Sequence, residues 1–143
     1  MTPTYDPTNI FAKILRGEAP CVKVYEDSVA LAFMDVMPRA DGHTLVIPKV
    51  PARALFDIDP ADLARFMPAV QKVARAVMTG MKAEGLSVMQ FNETAGGQQV
   101  FHLHFHLLPR WMGVALRPPG GPFQNAEALR PQAEKIIAAL AGA

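Results

Sequence analysis

The sequence predicts an α+β domain: an antiparallel sheet of five strands with helices packed against it. Two observations lead there. Five short apolar stretches are bounded by turn residues in hairpin-like spacing, and three further stretches carry their apolar residues at helical spacing. At 143 residues, half of them hydrophobic, the chain is long enough to bury one core. Residues 1–143 are therefore read as a single domain, without internal repeats or low-complexity tracts.

Residues 1–8 read as a loose arm. In NIFAKIL, Ile10, Phe11, Ile14 and Leu15 share a helical face, and Gly17 closes this short helix. Residues 22–25 and 29–33 are strand-like, with Glu26-Asp27-Ser28 as the turn between them. Met37 to Gly42 form a loop, and residues 43–47 resume as a strand that Pro48 ends. The clearest helix starts at Asp59-Pro60, a capping residue followed by proline at the first helical position. Leu63, Phe66, Val70, Val73 and Val77 lie on its apolar stripe, and Pro68 is expected to kink it or remove one hydrogen bond. Residues 86–91 form the next strand, and Thr94-Ala95-Gly96-Gly97 a glycine-bearing loop. Residues 100–108 read as a long strand that Pro109 stops. A proline- and glycine-rich linker, residues 117–122, leads to a C-terminal helix over residues 125–141, with Pro131 leaving its start open.

Composition narrows the function. The 14 basic and 13 acidic residues give a net charge of +1, which argues against a nucleic-acid polymer as partner but leaves room for a small anionic ligand. The single cysteine, Cys21, excludes an intramolecular disulfide and a Cys-x-x-Cys metal site. No apolar run approaches the ~18 residues of a membrane span. MTPTYDPTN lacks the basic and apolar regions of a signal peptide. The expectation is a cytoplasmic protein with no membrane partner.

Three of the four histidines fall within five residues: His102, His104 and His106 in VFHLHFHLLPR. Alternate residues of a strand share a face, so the three imidazoles are expected to line one side, with Phe101, Leu103, Phe105 and Leu107 on the other. One reading is a half-exposed strand with histidine on its polar side. A second is metal binding. At ~3.3 Å per residue the outer two are about 13 Å apart, so an ion would take two neighbours and a third ligand such as His43. The third is phosphate handling, in which a neutral ring attacks phosphorus and a neighbour donates to its oxygens. Gly96-Gly97-Gln98-Gln99, just upstream, offers close backbone approach and amide donors.

The run His102-Leu103-His104-Phe105-His106-Leu107-Leu108 resembles the histidine triad superfamily. NIFAKILRGEAP, VYEDSVALAFMDVMPRADGHTLVIPKV and GGQQVFHLHFHLLPR resemble its branch of nucleoside phosphoramidases and bacterial dinucleoside-polyphosphate hydrolases, from about Asn9 to Pro119. The resemblance implies that His104 is the nucleophile toward the α-phosphate, held by a backbone carbonyl on its other nitrogen. His106 is then the donor to phosphate and leaving group, and His102 a supporting member paired with His43. Asp35 would accept the ribose hydroxyls, while Ile10, Phe11, Ile14, Phe33 and Val36 would form the slot for the base. Asn92, Gly97, Gln98 and Gln99 would lie at the phosphate, although the stretch between Asn92 and His102 is one residue shorter than usual.

Many bacterial relatives carry a zinc-binding Cys-x-x-Cys where this chain has Asn9 and Ala12, so that zinc, or any other cofactor, is not expected. Histidine rather than glutamine at His106 favours hydrolysis over nucleotidyl transfer. The resemblance thus implies a purine nucleotide hydrolase, foremost a nucleoside phosphoramidase, working as a homodimer. The alternatives are a diadenosine polyphosphate hydrolase, or a nucleotide-binding scaffold with residual catalysis.

Overall fold

In the computed structural model, which describes residues 4–143, the chain forms three helices and five strands. They run α1 (Ile10–Leu15), β1 (Lys23–Glu26), β2 (Ala30–Met34), β3 (Thr44–Pro48), α2 (Pro60–Gly80), β4 (Gly85–Met89), β5 (Phe105–Arg110) and α3 (Ala126–Ala141), with a short 3-10 turn at Thr94–Gly96 before β5. The sheet order is β1-β2-β3-β5-β4 and every pair is antiparallel. Of the N-terminal arm, residues 1–3 lie outside the described residues.

Every residue of β2 and β3 is buried, because the sheet is covered on both faces. Ala30, Ala32, Met34 and Val46 point toward α2 and α3 and join the main core with Phe66, Val73, Leu129 and Ile136. Leu31, Phe33, Leu45 and Ile47 point the other way and pack with Phe11 of α1. This second face carries the site. Phe33 is paired with Leu45, Leu45 with His106, and His106 with Met89, so one cross-strand row brings a histidine from β5 beside the apolar floor under α1.

The helices begin where capping chemistry allows. Asn9, Asp59 and Asn125 each accept a backbone N–H of the first turn through a side-chain oxygen. Asn125 thereby fixes the start of α3, and Pro131 lies inside that helix, as Pro68 lies inside α2. The two helices pack closely at Gly80, where a Cβ would sit 2.7 Å from the Lys135 carbonyl oxygen; only glycine fits there without moving α3.

The strand boundaries differ from the pattern-based expectation, most of them by a single residue. Pro48 is the last residue of β3, and β4 stops at Met89, the last residue of its ladder with β5, opposite His106. The largest difference is β5, which starts at Phe105 rather than at residue 100. Residues 100–104 spend their hydrogen bonds on the segment after β3: Leu103 N–H donates to the Ala52 carbonyl at 2.8 Å. The Arg53 guanidinium stacks 4.1 Å over the Phe101 ring. Pro109 is not a stop but part of β5. It pairs only with Leu86 of β4, since β3 begins at Thr44, opposite Leu107, and does not reach it, so its missing N–H interrupts no second ladder.

Candidate active site

The irregular approach to β5 divides the histidines. His106 lies in the strand, and its ring packs 4.9 Å from that of His104, which itself meets Phe11 edge-on at 4.9 Å. His102 lies among different partners. Its Nε2 is 2.8 Å from the Pro48 carbonyl and its Nδ1 is 2.6 Å from the Tyr5 hydroxyl. His43, at the start of β3, contacts His106 through Nε2···Nδ1 at 3.0 Å. The expected His102–His43 pair is therefore corrected: His43 serves His106, and His102 is held by Tyr5 and Pro48. Only the last of the three lies in the regular strand, while Leu103, Phe105 and Leu107, which alternate with the rings, all join the main core.

The partners fix where each proton sits. A carbonyl can only accept, so His102 carries its proton on Nε2 and accepts the Tyr5 O–H on Nδ1. The Tyr5 oxygen in turn accepts from the Asn9 amide at 3.1 Å. His104 donates from Nδ1 to the His102 carbonyl at 2.7 Å, which leaves a lone pair on Nε2. Arg39 N–H can only donate, and it points at His43 Nδ1 at 3.0 Å; His43 is therefore protonated on Nε2 and donates to His106 Nδ1. His106 then presents an N–H from Nε2. One ring of the His104–His106 pair offers a lone pair and its neighbour a donor.

Burial keeps these rings neutral. It lowers His104, and it lowers His102 to about 4 despite the opposing bond to Pro48. His106 is pushed to about 3 by burial, then by His104 and Arg39. His43 is pushed to about 3 by burial, then by His106, Arg39 and Arg117. Asp35 is shifted upward by burial, partly opposed by the Met37 N–H that donates to its Oδ1 at 2.8 Å. Its other oxygen lies 3.4 Å from His43 Nε2.

Two lobes meet at this pair. The first, about 440 Å³, is floored by Phe11, Phe33 and Leu45, and Ile10, Ile14, Val36, Phe123 and Gln124 also line it. The second, about 290 Å³, is bordered by Arg39, His43, Phe91, Gly97, Pro119 and Gly120. Asp35, Gln99, His104 and His106 belong to both. Gln124 N–H donates to the Val36 carbonyl at 2.7 Å, tying the segment before α3 across the first lobe.

The donor set at Asp35, His43 and His106 comes within 4.8 Å of itself, close enough for an ion. Its protons do not suit one. Metal ligation needs a lone pair on His43 Nε2, and the Arg39 N–H pointing at Nδ1 puts the proton on that nitrogen. Asn9 and Ala12, at the positions where relatives place zinc-binding cysteines, are joined instead by the capping bond of α1.

A model of the HIT domain matches residues 16–112. The chain belongs to the HIT, or histidine triad, family. A HIT-like protein of Bartonella henselae, described as involved in cell-cycle regulation, is 51% identical. It superposes with a TM-score of 0.89, covering 95% of this chain and 99% of that one. The adenosine 5′-monophosphoramidase hnt1 of Schizosaccharomyces pombe is 40% identical over 71% of this chain and 73% of its own length. Adenylylsulfatase HINT3 of Arabidopsis thaliana is 34% identical over 76% of this chain, which spans 58% of that relative's length.

Of the residues that the HIT resemblance points to, Asp35, Ile10, Phe11, Ile14, Phe33, Val36, Gln99, His104 and His106 line the first lobe, and Gly97 and His43 the second. Gly97 has φ +98°, a left-handed conformation that strains any residue with a side chain, so the backbone turn favours glycine. Asn92 and Gln98 border neither lobe. Asn92 Oδ1 accepts from Leu55 N–H and from Gln90, and its amide nitrogen donates to Gln90. Gln98 is buried, accepts from Glu93 N–H and donates to the Arg53 and Val100 carbonyls. Both brace the loop that carries Gly97 and Gln99. Arg53 does the same through a two-pronged ion pair with Glu93 at 2.9 and 3.0 Å. Tyr5, Arg39 and Arg53 were not legible as site residues; Tyr5 and Arg39 sit in an arm and a loop without periodicity, and only the folded contacts reveal them.

Proposed function

We propose that the chain is a HIT-family hydrolase that cleaves purine nucleotide derivatives at the α-phosphate, foremost a purine nucleoside phosphoramidase. The observation that carries this reading is the His104 Nδ1–H bond to the His102 carbonyl, which leaves the Nε2 lone pair at the junction of the two lobes. The base occupies the apolar first lobe and the ribose hydroxyls donate to Asp35. His104 Nε2 attacks phosphorus, forming a P–N bond while the bond to the leaving group breaks. The departing electron pair stays on the leaving atom, which takes a proton from a water in the second lobe while His106 Nε2–H, braced at Nδ1 by His43 Nε2–H, holds the leaving group by a hydrogen bond. Water then cleaves the nucleotidyl-histidine, releasing the nucleoside monophosphate. No metal takes part in this sequence.

The names of relatives support the class, since they include an adenosine 5′-monophosphoramidase and an adenylylsulfatase. The test is turnover of adenosine phosphoramidate in EDTA, with acid-quenched mass spectrometry of the peptide containing His104. An adduct of nucleotide mass there, lost together with turnover in His104→Ala, is the expected result; turnover by His104→Ala overturns the assignment.

We also infer a cytoplasmic homodimer, paired at the free edge of β4, where Val88 is 53% exposed. Sedimentation of the wild type against Val88→Lys checks this, with the variant shifting to the monomer. Among the described residues no helix is long and apolar enough to cross a membrane. The second reading, a dinucleoside polyphosphate hydrolase, shares every step and differs only in the leaving group.

A further inference from the structure

The geometry points to the second lobe as a leaving-group subsite in which Arg39 selects leaving groups bearing a phosphate or carboxylate over neutral amines. This rests on the hydrolase reading above and deepens it. The lobe opens on the side of His106, the ring that presents an N–H, and away from the apolar floor of the first lobe. Arg39 stands on its wall beside His43 and His106.

The guanidinium is fixed from behind. Arg39 Nε donates to the Arg117 carbonyl at 2.9 Å, and Arg117 N–H donates back to the Arg39 carbonyl at 2.8 Å. A head group held through one nitrogen keeps its two terminal nitrogens available and loses little freedom on meeting an anion. Its charge is also uncompensated. Arg117 is paired with Asp41 at 2.9 Å, whereas Arg39 pairs with no carboxylate among the described residues. Asp35, the acidic residue on this wall, stands at the junction with the first lobe and has one oxygen taken by Met37 N–H.

The histidines do not supply the missing charge. Burial and Arg39 itself keep His43 and His106 neutral at pH 7, so Arg39 is the positive group of this wall. A neutral amine leaving from phosphorus meets only the His106 N–H. An anionic leaving group meets that donor and a half-buried, preorganised fork suited to two oxygens.

The test compares two phosphoramidates that share the adenosine 5′-phosphoryl group and the P–N bond, one made with propylamine and one with β-alanine. Wild type is expected to favour the carboxylate-bearing substrate in kcat/KM by about tenfold, the worth of one charge-assisted contact. Arg39→Gln should bring that ratio close to one. Arg39→Lys should keep part of it, because the charge remains but the fork is lost. Added salt should shrink the wild-type ratio. An identical ratio in wild type and Arg39→Gln overturns the proposal. If neither substrate turns over, the hydrolase reading fails, and the subsite is judged by calorimetry with ADP and AMP. A preference for ADP that Arg39→Gln removes sustains the anion subsite, while equal preference in both proteins overturns it.

Discussion

His104 and His106 are the same residue two positions apart, with rings 4.9 Å from each other, yet they are built to opposite ends. His104 lies before the strand and is oriented by a main-chain carbonyl, an acceptor, so its free nitrogen bears a lone pair. His106 lies in the strand and is oriented by a donor, His43, itself set by the Arg39 N–H, so its free nitrogen bears a proton. Identical chemistry at neighbouring positions becomes a nucleophile and a donor through the polarity of what stands behind each ring. Burial then keeps both neutral, which the division of labour requires, since a protonated His104 could not attack.

The most severe way to break this asymmetry is His104→Ala, which removes the attacking atom and should lower kcat by about 10⁴-fold or more. His106→Ala should cost about 10²–10³-fold with an amine leaving group, and much less with a good leaving group such as p-nitrophenolate, which needs no proton. Equal losses with both leaving groups would show that His106 is not the donor. Replacing His43 by Ala leaves His106 Nδ1 without its partner and should lower kcat by roughly 10–10²-fold, with little change in KM.

Acid should dissolve the comparison altogether. His43 and His106 titrate at about 3 and His102 at about 4 in the fold, against about 6.5 in the unfolded chain. Between these values the unfolded chain holds protons that the native state refuses. Stability is therefore complete above about pH 6.5 and is lost as pH falls through that window, by up to about 1.4 kcal/mol per pH unit for each ring. Thermal unfolding between pH 7 and 4 measures it, and His102→Asn should flatten the slope. The gentlest probe is Tyr5→Phe. It removes one hydrogen bond behind His102 and should lower kcat about fivefold without altering the overall fold, as read by circular dichroism.

Much of this was legible in the chain. The order of strands and helices, the capped start of α2 at Asp59-Pro60 and the row of histidines follow from local pattern, whereas the roles of Asp35 and His43 came only with the resemblance to the histidine triad family. What the pattern did not show was where the strand begins. Period-two spacing does sort Leu103, Phe105 and Leu107 into the main core, but before Phe105 the chain leaves the ladder: Leu103 N–H donates to the Ala52 carbonyl and His102 Nε2–H to that of Pro48. Pro109 misled for a related reason: proline ends a strand only where a second ladder needs its N–H. Tyr5 was hidden because the contact with His102 spans 97 residues and leaves no periodic trace. Asn92 and Gln98 show the converse, amides of suitable type and place whose hydrogen bonds are consumed by their own loop.

Arg39 meets His43 through its main chain and the second lobe through its side chain. Those two duties are inherited separately. Nineteen of the genetically encoded residues keep an amide hydrogen, so drift at this codon can retune which leaving groups are accepted while the proton arrangement behind His106 survives. Proline alone would disturb both at once.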